Sequence, residues 1–229
     1  MAFSYIQSTA SGAVGEDTTS YETNLTAGSL LITAVYWNHA TATCDTSDSL
    51  NGAWTPLGSP QTGADSLAAW RLQFFYFLNS AAGAAGVTST ISEAVTMAHA
   101  IHEHSSSFGG AAVQLDGGAT YSSPINQAGS TTTGAVVTTA DSDLLFAGCV
   151  AEVSVSAAGA GFVIRELAAF NGNGTEDDLD GGSAGSKTAG FTLSGTNDVI
   201  LGLVAFRDQA PAGGGPTIQL RPTVSPLRW

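Results

Sequence analysis

Basic residues are scarce in this chain. Six Lys and Arg stand against 19 Asp and Glu in 229 residues, for a formal net charge of −13. Nucleic-acid binding rests on Lys and Arg neutralising phosphates, so the balance argues against it. It argues against anionic membrane surfaces for the same reason. Charged residues of either sign make up only 11 % of the chain, less than half of the roughly 25 % in an average domain. Cysteine is nearly absent. Cys44 and Cys149 are the two, and with no CxxC spacing a zinc site is not expected. Their separation does not say whether they pair, and the plainer reading is two small buried side chains. No apolar run approaches the ~20 residues of a transmembrane helix, so no membrane insertion is expected. The first residues carry neither a basic stretch nor the apolar run of a signal peptide, which predicts synthesis and folding in the cytoplasm. A 3.6-residue period sustained over three turns is also missing, so helices are not expected.

What is present is a series of short apolar runs separated by Gly, Ser, Thr, Asn and Asp. Residues 29–37 (SLLITAVYW) and 70–78 (WRLQFFYFL) are the strongest, rich in β-branched and aromatic side chains. Further strands are predicted over 3–8, 48–57, 87–91, 95–104, 111–115, 135–139, 143–150, 162–167, 186–193 and 198–206. About a dozen strands with turn signals every ~8–15 residues predict an all-β sandwich or barrel. The length suits one large β-sandwich, a class that runs to roughly 200–250 residues. The expected organisation is therefore one sandwich over residues 1–208, a Gly/Pro linker over 209–215, and an extended C-terminal arm over 216–229.

That arm differs in kind from the body. It holds three prolines, which rule out a helix or a central strand. Its apolar residues Ile218, Leu220, Val224, Leu227 and Trp229 cannot form a core of their own. Arg221 and Arg228 give it +2 with no acid, so the rest of the chain carries −15 of the total −13. A short basic apolar arm on an acidic body can fold back on its own sandwich or lie on a neighbour's sheet edge.

Eight stretches taken in order resemble a recurring bacterial and phage β-sandwich domain of surface and phage-related proteins, which has no agreed family name. They are residues 28–37, 45–60 (DTSDSLNGAWTPLGSP), 71–83, 100–105 (AIHEHS), 123–127 (SPINQ), 138–148 (TTADSDLLFAG), 159–165 (GAGFVIR) and 198–207 (DVILGLVAFR). The resemblance spans about residues 3–207 and leaves the arm outside. It implies a jelly-roll-like sandwich used for display, attachment or assembly. It brings no catalytic motif.

Candidate chemistry is sparse. His99, His102 and His104 lie beside Glu103, and strand alternation puts His102 and His104 on one face, with His99 and Glu103 on the other beside Met97 and Ile101. Two imidazoles fall short of the three or four ligands of a zinc site, so hydrogen-bonded strand residues are expected. Glu176, Asp177, Asp178 and Asp180 form an acidic cluster that could give oxygen ligands to Ca²⁺. The plainer expectation is a solvated acidic turn. Trp54 and Tyr121 sit in turn-rich stretches and are the candidates for a glycan-facing surface. GxSxG, HExxH, P-loop and GxGxxG motifs are all lacking, so neither an enzyme nor a cofactor is expected. These readings converge on a structural, self-assembling virion protein of a phage, a head decoration or a tail or fibre component held by arm exchange or strand addition. Its expected partners are copies of itself and other virion proteins. A carbohydrate-binding or adhesion module with a surface glycan as ligand, or a subunit of an extracellular filament, are the alternatives.

Overall fold

Residues 30–37 are apolar almost without interruption, the pattern of a strand covered on both faces. The computed structural model, which describes residues 3–167 and 172–208, gives the reason. Leu30, Ile32, Ala34 and Tyr36 enter one core, while Leu31, Val35 and Trp37 enter another on the opposite side. A strand with two cores must lie in a sheet with layers on both sides.

The first half of the chain contains β1 (Phe3–Val14), β2 (Glu16–Ser20), β3 (Leu30–Asn38), β4 (Cys44–Asp48), β5 (Gly52–Ala53), β6 (Thr55–Thr62), β7 (Trp70–Phe77), β8 (Gly86–Ile91) and β9 (Thr96–Ser106). They form an inner sheet in the order β1-β9-β3-β7-β6 and an outer sheet in the order β2-β8-β4-β5. The chain changes sheet at tight corners. Gly15, at φ 78°, turns β1 into β2 and takes a hydrogen bond from Ile91 N, a conformation that favours glycine. Alternation between two sheets, with the first strand paired to the last, is the jelly-roll arrangement.

The second half repeats it. Here β10 (Val113–Ser122), β11 (Ser130–Thr132), β12 (Val136–Thr138), β13 (Leu144–Ala151), β14 (Val155–Ala158), β15 (Val163–Leu167), β16 (Gly174–Asp178), β17 (Gly185–Lys187), β18 (Gly190–Leu193) and β19 (Val199–Asp208) follow. The inner sheet runs β10-β19-β13-β16-β15, and the outer layer is β11-β18-β14 with β12-β17. First-to-last pairing recurs as β10 with β19, and both first strands lose register near their start, at Tyr5/Gln7 and at Asp116/Ala119.

All of these ladders are antiparallel, as the all-β expectation requires. The layering goes further than one sandwich over 1–208. Two sandwiches lie with their inner sheets face to face, giving four layers and three cores. Turn spacing alone does not distinguish one large sandwich from two small ones. Along the central contact β1 meets β15, β7 meets β19 and β6 meets β10, while β9 reaches β16 through side chains. The two halves are thus related by an approximate twofold axis running between the middle strands β3 and β13.

A knob and a notch fix their spacing. Gly148 and Gly202 are cross-strand partners, and a Cβ on Gly202 would stand 2.7 Å from the Phe74 ring and one on Gly148 2.9 Å from it. Phe74 fills the notch and meets Phe146 edge-on at 5.5 Å between centroids.

Candidate functional site

The densest polar cluster lies inside the molecule, between the inner sheets. On β9, alternation does put His102 and His104 on one face, with their rings stacked 6.3 Å apart. His104 Nε2–H donates to Asp177 Oδ2 at 2.8 Å, and Arg165 Nε–H donates to Asp177 Oδ1 at 2.8 Å. The Arg165 guanidinium also lies 4.0 Å over the Tyr5 ring. Ser8 Oγ–H reaches Glu166 Oε1 at 2.5 Å and Thr175 Oγ1 pairs with His102 Nε2 at 3.0 Å. Residues from β1 and β9 are thereby tied to residues from β15 and β16. Burial holds His102 well below the usual imidazole pKa, reinforced by His104 and Arg165. His102, His104, Thr175 and Asp177 are all buried.

A His–Asp pair orients an imidazole for proton transfer in many enzymes. That chemistry also needs a nucleophile or substrate within reach. His102 and His104 each leave Nδ1 buried and without a partner, and their rings are sealed beneath two sheets. The cluster is built to hold the halves together. The opposite flank of the same contact is held by Tyr121, whose hydroxyl donates to Leu57 O at 2.8 Å and accepts from Phe74 N at 3.1 Å.

His99 and Glu103 occupy the other face of β9, as alternation predicts. Glu103 is a fully buried carboxylate with three donors, Thr26 N and Ser29 Oγ at 2.7 Å and Gln7 Nε2 at 2.6 Å. His99 meets Ser89 Oγ at 2.9 Å, and burial lowers its pKa to about 4 although Asp17 opposes the shift.

The acidic cluster is the solvated turn that its sequence suggests only at its end, where Asp180 is exposed beyond β16. Glu176 and Asp177 lie in β16 with no exposure. Alternation sends Asp177 into the contact between the halves and Glu176 towards the outer layer, where it accepts from Gly159 N at 3.1 Å. Burial pushes the Glu176 carboxyl up to about 8. Asp178 caps its own turn by accepting from Asp180 N. The carboxylates that could have given ligands to Ca²⁺ therefore point different ways, and no group of three or more His, Cys, Asp or Glu that could hold a metal ion is found among the described residues.

Of the two aromatic candidates for a glycan surface, Trp54 is corrected. Trp54 is 5 % exposed. It sits where the chain crosses from β5 to β6 and plugs the corner between the sheets, donating Nε1–H to Asp48 Oδ2 at 2.7 Å. Asp48 also accepts from Leu50 N and Asn51 N, so the turn chemistry that suggested exposure is what buries the ring. Tyr121 is half-buried, with its ring 5.5 Å from Phe74 and its hydroxyl used between the halves.

Cys44 and Cys149 are free, buried, and in different cores. Burial pushes the Cys44 thiol up to about 12. Arm residues Ile218, Leu220, Arg221, Val224, Leu227, Arg228 and Trp229 lie outside the described residues. No helix among the described residues is long and apolar enough to cross a membrane.

No protein-family model matches the chain, and no curated protein matches it. Two solved structures are similar to it. One is the major capsid protein P2 from bacteriophage PM2, at 12 % identity and TM-score 0.30, covering 90 % of this chain and 100 % of that one. The other is the STIV MCP, at 6 % identity and TM-score 0.27, covering 89 % of this chain and 97 % of that one. Overlaps this loose identify no function.

Three grooves among the described residues offer little chemistry. A groove of about 350 Å³ over the outer layer of the second half is lined by Ser, Thr, Ala, Gly and Phe191. A second of about 390 Å³, beside Tyr21 and Ser49, has Glu22 as its one ionisable wall residue apart from the tyrosine. A third, of about 260 Å³, borders Cys44 and Pro60. None brings a nucleophile, a base and a donor together, which is the minimum for covalent or acid–base catalysis.

Proposed function

We propose that this chain is a structural subunit of a phage particle, a head decoration or a tail or fibre component, that assembles with copies of itself. One observation carries the reading. Among the described residues, the polar chemistry is used inside the fold to fasten two sandwiches into one block, while the grooves hold no reactive constellation. A block stiffened in this way suits load-bearing and tiling. Jelly rolls recur in capsid and lectin domains, an analogy of fold rather than a site. Burial of Trp54 and the engagement of Tyr121 remove the specific support for a glycan-binding role. The low charge density and the +2 arm on an acidic body support association between copies.

The test is to band particles released from cells that carry the gene and to quantify this chain in them by mass spectrometry. A fixed stoichiometry with the other particle proteins is expected, together with regular projections or rings of the purified chain in negative-stain images. Absence from every banded particle, with a monodisperse monomer at all concentrations, would remove the proposal.

A further inference from the structure

The two inner sheets end in four outer strands, β1, β6, β10 and β15, each unpaired on its far side among the described residues. Three of them are poor templates for another strand. β6 carries Pro56 and Pro60, and two of its carbonyls are taken, Leu57 by the Tyr121 hydroxyl and Gly58 by Gln73 Nε2. β10 is broken where Gly117 and Gly118 both take φ 75°. β1 loses register between Tyr5 and Gln7, and its Gln7 side chain is held by Thr23. Prolines, bulges and polar edges are common devices against unwanted pairing.

β15 is different. It contains neither Pro nor Gly, and its terminal residues Val163 and Leu167 are 50 % and 56 % exposed. Its single irregularity, at Arg165, turns that side chain inward onto Asp177. An edge strand with apolar residues at both ends is a pairing surface.

We propose that β15 receives residues 217–221 from the arm of a second copy of this chain, as an added antiparallel strand. This rests on the self-assembly reading above and names its acceptor. The arm segment Thr217, Ile218, Gln219, Leu220, Arg221 is five residues long, as β15 is, and lies between Pro216 and Pro222. Prolines lack the N–H a ladder needs, so the two bound the register. Ile218 and Leu220 are two apart and share one face of a strand. The arm carries +2 and no acid, against −15 on the rest of a chain whose total is −13. Pairings Phe206↔Leu144, Leu145↔Asp178 and Val163↔Asp177 put the end of β19 level with the start of β15. A segment coming directly from Asp208 of the same chain would therefore run parallel to β15, in a fold whose described pairings are all antiparallel. A neighbour's arm is free of that restriction.

Three full-length proteins decide the matter by light scattering: the natural chain, V163K/L167K, and I218S/L220S. Both β15 positions are exposed, so an unchanged melting temperature verifies that the edge variant folds. The natural chain is expected to form oligomers, and each double variant to have the mass of a single chain. An equimolar mixture of the two variants is expected to give a 1:1 dimer, because one keeps the acceptor and the other the arm. An edge variant that assembles like the natural chain overturns β15 as acceptor but leaves self-assembly standing. A mixture that stays monomeric overturns strand exchange between copies. A natural chain monomeric at every concentration overturns both readings, and a fall in melting temperature for I218S/L220S alone then identifies folding back on the same body.

Discussion

Glu176→Gln should stabilise this protein, and more so as the pH rises. The carboxyl is buried, and burial outweighs the two backbone N–H groups of Gly159 and Gly190 that favour its ionised form. Its pKa rises from 4.5 to about 8 on folding. Between those values the unfolded chain has already released the proton while the folded chain still holds it. Stability therefore falls as pH rises through that window, by about 1.4 kcal/mol per unit. At pH 7 the accumulated cost is about 3 kcal/mol, and at pH 5 it is below about 1 kcal/mol. Gln keeps the acceptor for the two amides and cannot ionise, so the pH-dependent cost vanishes. For a chain of this size about 1 kcal/mol moves the melting temperature by roughly 2–4 °C, so the variant should melt about 10 °C above the natural protein at pH 7 and close to it at pH 5. Thermal melts and urea titrations at four pH values between 5 and 8 measure the gap. A gap that does not widen with pH would show that Glu176 is not titrating in the window, and the burial argument would fail.

The buried histidines of β9 act in the opposite direction to Glu176. His99 falls from 6.5 to about 4 on folding, so below about pH 6.5 the unfolded chain takes up a proton that the folded one refuses. About 3 kcal/mol is then lost between pH 6.5 and 4, and His102 adds to the loss in the same direction; since Glu176 gains about as much over the same range, the loss is read in Glu176→Gln, whose urea midpoint at pH 4.5 should lie below that at pH 7. Asp177→Ala strands Arg165 and His104 in the contact between the halves and should cost about 3–5 kcal/mol, read as a lowered urea midpoint. Gly202→Ala drives a methyl into the Phe74 ring and should cost about 1–3 kcal/mol, whereas Gly195→Ala, with only Val153 at 3.6 Å, should cost far less in the same titration.

The strands with a dense apolar signal were legible in the sequence. β3, β7, β13 and β19 are apolar on both faces because each lies in an inner sheet, between two cores. β2, β11, β14 and β16 read EDTTS, STT, VSAA and GTEDD, and nothing in such segments separates a strand from a turn. β16 misleads most. Its carboxylates look solvated in isolation, and they are buried because Arg165 and His104 meet one and the backbone N–H of Gly159 the other. Those partners are distant in sequence or part of the main chain, so composition cannot reveal them. One signal for the doubling was available. Ser29-Leu30-Leu31 and Asp143-Leu144-Leu145 both pair a polar residue with two leucines at the start of a central strand, and they fall at matching places in the two halves.

The approximate twofold has a consequence for how copies can associate. An isologous contact uses one surface on both partners and closes on itself. In this chain that contact is satisfied internally, with the inner sheets sealed by the His104–Asp177–Arg165 cluster on one flank and Tyr121 on the other. On the proposed reading, further copies would add through outer strands or outer layers. Donation of an arm to β15 joins two different surfaces, a heterologous contact, which yields a closed ring or an open filament according to the rotation between neighbours. On the proposed reading, bodies at −15 would repel one another while each arm of +2 would meet the acidity of the next, leaving a net −13 per chain. Screening weakens both terms over about 8–10 Å at 0.1–0.15 M salt. Body repulsion acts over the longer separation and is screened first, so on the proposed reading moderate salt should promote assembly. An assembly that instead dissolves steadily as salt rises would mean that the arm's two arginines, and not its apolar face, supply most of the hold.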